Sequence, residues 1–142
     1  MTTPEIDTPG VDPAGIDYDG RRFSSRAAET TDPAGGVPVG HYHQTGDLVW
    51  AEFSGGAVRV GRLVGRCGAD GMIEAAYCQL LAGGDVVAGR LSSRPHLLAD
   101  GRVRLEERWR RDDGSAGTSW IEELPSGEAP DIQCPGPMEQ RA

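Results

Sequence analysis

Turn-forming residues recur every 8–15 positions through this chain: Asp32-Pro33-Ala34-Gly35-Gly36, Gly46-Asp47, Gly55-Gly56, Asp70-Gly71, Gly83-Gly84, Asp100-Gly101 and Asp113-Gly114. Gly-Gly and Asp-Gly enter positive φ at little steric cost, which suits the tight turns that join antiparallel strands. The segments between them are short, rich in Val, Leu, Trp, Tyr and Phe, and lack a 3.6-residue period. Seven turns therefore predict about eight strands, near 21–30, 37–45, 48–54, 57–67, 72–82, 85–93, 102–111 and 117–124. The expected fold class is all-β, an antiparallel meander closed into a small barrel or folded into a sandwich.

The two ends read differently. Residues 1–17 carry acids, three prolines and no basic residue, and residues 125–142 carry four prolines. Neither segment has enough apolar area to offset its ordering entropy. We expect an acidic tail or lid over 1–17, a barrel domain over 18–124 and a Pro-rich C-terminal segment over 125–142. Ile6, Val11 and Ile16 would let the first segment fold over a cavity mouth.

Composition removes several classes of function. The net charge of −8 disfavours a nucleic-acid backbone, which needs clustered positive charge. All 14 basic residues are arginine, so no Schiff-base lysine exists. No apolar run is long enough to span a membrane and no basic-then-apolar leader is present, so a cytoplasmic location is expected. Cys67, Cys78 and Cys134 show no metal-binding spacing and read as reduced thiols. His41 and His43 share a strand face but have no evident third ligand. No metal or cofactor is expected.

Strand parity nominates the site. In Arg102–Arg110, Val103, Leu105, Glu107 and Trp109 point one way, and the arginines with Glu106 point to water. Glu107 is then a carboxyl on an apolar face, fit for general acid or base work or for pairing with Arg62, Arg90 or Arg94 inside the barrel. Tyr77 and Gln79 share a face of a central strand and would donate hydrogen bonds to a ligand carbonyl or be satisfied internally, Tyr77 by backbone and Gln79 by Arg62 or Arg90. Trp50, Trp109 and Trp120 offer flat surfaces for stacking or for filling the core. A two-residue turn at Gly55-Gly56 sets Phe53 against Val58, Val49 against Arg62, and Trp50 against Gly61. The same turn at Gly83-Gly84 sets Gln79 against Ala88 and Tyr77 against Arg90. One bulge would invert such a register.

Several pieces, in order, carry a resemblance: Tyr18-Asp19-Gly20-Arg21-Arg22-Phe23, Trp50–Gly56, Gly61-Arg62-Leu63-Val64-Gly65, Ala76-Tyr77-Cys78-Gln79, Ser92-Ser93-Arg94-Pro95, Asp100–Leu105, Glu107-Arg108-Trp109 and Gly117–Glu123. Over 18–124 this resembles a family of small bacterial proteins labelled "N-acetylglutamate synthase"-like. Acetyl transfer from a nucleotide cofactor would need a glycine loop running into a helix, and the sequence has none. The resemblance implies a compact barrel, lipocalin-like in shape. By analogy of fold with small barrels of polyketide pathways, it implies a cofactor-free cyclase that folds a hydrophobic substrate for cycloaddition.

The functional expectation is therefore a cyclase with Tyr77, Gln79 and Glu107 as catalytic groups and Trp50, Arg62 and Trp109 against the substrate. One alternative is a non-catalytic binder or carrier of an apolar small molecule. The other is a structural barrel that forms a homodimer through an outer apolar face.

Overall fold

The computed structural model describes residues 15–25 and 36–125. Eight strands run in chain order: β1 (Arg22–Ser25), β2 (Val39–Thr45), β3 (Leu48–Gly55), β4 (Val58–Cys67), β5 (Ile73–Leu81), β6 (Val86–Leu97), β7 (Val103–Arg111) and β8 (Ala116–Glu123). Each pairs antiparallel with the next, and β1 pairs with β8, so the sheet is a closed barrel without free edges. This is the all-β, eight-stranded antiparallel meander expected from the turn spacing. The predicted continuation of the first strand to residue 30 lies outside the described residues, as do residues 1–14, 126–142 and Cys134.

Four hairpins share one loop design. In each of the segments 68–72, 81–85, 98–102 and 111–115, the first residue's N–H bonds the last residue's carbonyl. The fourth residue is a glycine with positive φ, 83° at Gly71, 102° at Gly84, 90° at Gly101 and 93° at Gly114. This is a three-residue loop with a glycine bulge, one residue longer than the tight turn assumed from sequence. In three of them an aspartate before the glycine fastens the loop, Asp70 to the Met72 N–H at 3.0 Å, Asp100 to Arg102 at 3.1 Å and Asp113 to Ser115 at 2.9 Å.

The longer loop shifts the register by one. Gln79 faces Val87 rather than Ala88, and Tyr77 faces Gly89 instead of Arg90. A bulge between Phe53 and Gly55 corrects the other hairpin, so that Phe53 faces Gly61 and Trp50 faces Val64. Strand β6 extends through Pro95 to Leu97. Pro95 lies beyond the last rung that β6 shares with β5, Ile73 to Ser93, where a missing N–H disturbs no ladder on that side.

The core lies toward one end of the barrel. Tyr18, Phe23, Val49, Ile73, Val103 and Leu105 are essentially inaccessible there. Ile16, placed by sequence in the tail, is buried among them. The Tyr18 hydroxyl donates to the Gly71 carbonyl at 2.7 Å, tying the segment before β1 across the barrel end. Glu123 closes the seam, accepting from Arg21 at 2.8 Å and from the Val103 N–H at 3.0 Å.

Candidate functional site

Above this plug the lumen is not filled. A cavity of about 110 Å³ lies toward the end that carries the 55–57, 82–85 and 112–115 loops. Its wall is mainly apolar and aromatic, built from Phe23, Tyr42, Phe53, Leu63, Leu91 and Trp109. Ser25, Tyr77, Gln79, Glu107, Arg111 and Ser119 supply the polar atoms. At roughly 10–15 Å³ for each water-sized body, the space suits a small ring with a short arm.

Glycines give the wall its shape. A Cβ on Gly61 would fall well inside contact distance of the Phe53 ring, and one on Gly117 would sit 2.6 Å from Trp109 Cζ2. Each aromatic ring thus lies flat over the bare backbone of the neighbouring strand, leaving the centre of the lumen clear. Beyond Trp109, the Arg111 guanidinium stacks on its ring at 4.8 Å from the centroid.

Among the described residues, Glu107 is the only carboxyl that lines the cavity. Its rung neighbours are Ser93 on β6 and Ser119 on β8. Protein surrounds it on every side, yet its residue surface is partly accessible because it borders the lumen. Burial pushes its pKa up to about 7, and the nearby Ser93 hydroxyl offsets part of that rise. That hydroxyl is fully buried and sits outside hydrogen-bond geometry with any partner among the described residues. Tyr42 stands close enough to Glu107 for the carboxylate to add to the rise that burial imposes on its phenol.

Of the six site residues expected from sequence, the structure brings four together in the cavity: Tyr77, Gln79, Glu107 and Trp109. The other two are corrections. Trp50 faces outward, where its ring stacks on His43 at 5.2 Å. Arg62 is exposed on the outer face and donates to the Gly61 carbonyl at 2.9 Å. The bulge near Phe53 moves Arg62 from the rung of Val49 to that of Glu52, and Trp50 lies on the β3 face opposite the buried Val49 and Ala51. Arg90 and Arg94 are also exposed, so none of the three arginines considered as partners of Glu107 reaches it. Trp120 lies outside, under Arg104 at 4.7 Å. His43 bonds Glu52 at 2.7 Å, and among the described residues no cluster of potential metal ligands forms.

Sequence reasoning missed Tyr42, Phe53, Ser93 and Arg111. Ser93 was within reach. Counting back from a three-residue loop at 99–101 pairs Leu97 with Val103, and so Ser93 with Glu107. The Asp-Gly at the end of that loop was the signal.

No curated protein and no solved structure matches the chain. A family profile described as "Avidin-like protein" matches residues 16–124, the full length of the barrel from the buried Ile16 to the end of β8. With that match covering most of its length on a closed eight-stranded meander, this chain belongs to the avidin-like protein family.

Proposed function

We propose that this protein is a non-catalytic binder of a small organic molecule held in the barrel lumen. The observation that carries the reading is the cavity itself: one end of the barrel is plugged, and the other leaves an aromatic-walled space with a few converging polar groups. Binding of small molecules, biotin among them, is also what the avidin-like family does. Cyclisation draws no support from the fold or from the family match, and the binder alternative takes its place. Tyr77, Gln79 and Glu107 become orienting groups and Trp109 a stacking surface.

The test is to purify the protein from its native host and analyse the denatured extract by mass spectrometry, beside the variant Leu91→Trp. The indole would fill the space that Leu91 borders. A small molecule recovered from the wild type and lost from the variant supports the reading. An empty wild type, with no ligand in a screen of small cyclic compounds stabilising it, overturns it.

For the outer surface we propose self-association. Leu48 and Val64 are 46% and 57% exposed, and Val64 neighbours Trp50 and Ala76 across the strands. A contiguous apolar patch of this kind marks an interface.

A further inference from the structure

The chain is acidic, with a net charge of −8, yet the outside of the barrel holds a compact group of positive charges. Arg90 and Arg94 stand on β6, Arg108 and Arg110 on β7, and all four are exposed. Arg90 and Arg110 share one rung, Arg108 faces Ser92, and Arg94 faces Glu106. Facing side chains on neighbouring strands start about 5 Å apart and diagonal ones about 7–8 Å apart. The four arginines therefore rise from an area about 13 Å long and two strands wide. Two acids border it. Glu106 lies 3.5 Å from His96 Nε2, and the exposed Glu74 stands on the rung of Ser92. Among the described residues none of these four arginines forms an ion pair, whereas Arg21, Arg102 and Arg104 each hold an acid.

Like charges directly opposite on a sheet repel, and Arg90 and Arg110 face one another across a rung with no acid between them. An anion laid over the pair turns that repulsion into attraction, and the planar guanidinium fork matches a carboxylate at two points. The spacing selects the shape of the anion. The arginines are two residues apart on β7 and four apart on β6, so they meet carboxylates at alternate positions of an extended chain, whose side chains return to one face every second residue. Beyond Glu106 the face continues to Trp120 on β8, which is 39% exposed with Arg104 against its ring. Trp and Arg are among the residues enriched in the energetic centres of protein contacts. A long, uniformly charged polymer would run past the arginines onto Glu74, Glu106 and Glu122, where it meets its own sign of charge; a short acidic run does not. We propose that the outer face of β6 and β7 docks an extended acidic segment of a partner polypeptide, whose alternate carboxylates pair with Arg90, Arg94, Arg108 and Arg110. The face lies outside the barrel, and its use is independent of what the lumen holds.

The experiment is fluorescence anisotropy on the full chain with three labelled probes of similar length: a peptide of alternating Glu and Ser, its Lys-Ser counterpart, and an oligothymidylate. At low ionic strength the Glu-Ser peptide should bind and the Lys-Ser peptide should not, and about 0.5 M salt should release the bound peptide. Arg90→Gln/Arg110→Gln should weaken the Glu-Ser peptide at least about tenfold, and Arg94→Gln/Arg108→Gln should do the same from the other pair. Arg59→Gln/Arg66→Gln, which removes two exposed arginines of β4, should change binding by less than about twofold. No binding of the Glu-Ser peptide to the wild type overturns the proposal, and so does an equal loss from the β4 pair. Oligothymidylate bound more tightly than the peptide overturns it by giving the face to a nucleic acid. Sedimentation in which the wild type self-associates and Arg90→Gln/Arg110→Gln does not overturns it by giving the face to a second copy.

Discussion

Glu107 makes the stability of the barrel sensitive to pH. Its carboxyl ionises near 4.5 in an unfolded chain and near 7 in the barrel, because ionisation inside an apolar cavity forfeits hydration. The folded state therefore holds a proton that the unfolded state has already lost. The favourable contribution is complete below about pH 4.5 and disappears as pH rises through 7. Glu107→Gln, which stays neutral throughout, should thus stabilise the protein by on the order of 2–3 kcal/mol at pH 8.5 and change it little at pH 4.5. Urea denaturation of both proteins at the two pH values checks this. Equal effects at both would mean that the carboxyl is well solvated. The inward placement of Glu107 was legible in the sequence, because Val103, Leu105 and Trp109 mark the apolar face of β7 on both sides of it. That of Arg62 was not. Its face depends on a bulge, and a bulge has no local pattern when Gly, Ser and Phe stand together as they do at 53–56.

At the level of the elements, glycines divide into those that turn the chain and those that make room. Gly117 is of the second kind, and its strand supports Trp109 through its lack of a side chain. Gly117→Ala should push the indole from its place and lower stability by about 1–3 kcal/mol. Gly83→Ala meets open space at an ordinary φ and should stay within about 0.5 kcal/mol of wild type. Thermal unfolding of the two variants, followed by tryptophan fluorescence, separates the roles; a neutral Gly117→Ala would show that Trp109 is loosely held. Strand positions were legible throughout because Asp-Gly and Gly-Gly mark the hairpins. Registers were not, because a two-residue loop and a three-residue loop with a glycine bulge share the same dipeptide. In three hairpins an aspartate-to-backbone bond fastens the longer loop, and those bonds exist only once the hairpin closes.

For the whole molecule, the barrel has an apolar plug at one end and an apolar outer patch on β3 and β4. Val64→Glu places a charge in the middle of that patch. If the patch is a self-association face, the substitution should convert the wild-type oligomer to monomer in analytical ultracentrifugation without changing the melting temperature of the barrel itself. A wild type that is already monomeric at high concentration would remove the patch from consideration. The plug has a different bearing. Among the described residues Ile16 and Tyr18 seal the far end, so an occupant of the lumen passes the end that carries the loops at 55–57, 82–85 and 112–115. Arrival and departure are then the same path travelled in opposite directions. A change at the rim alters how fast exchange happens in both senses and leaves the equilibrium where it was. A change at Glu107, which lines the lumen, alters how long an occupant stays, so residence time and affinity are governed from within and traffic from the rim.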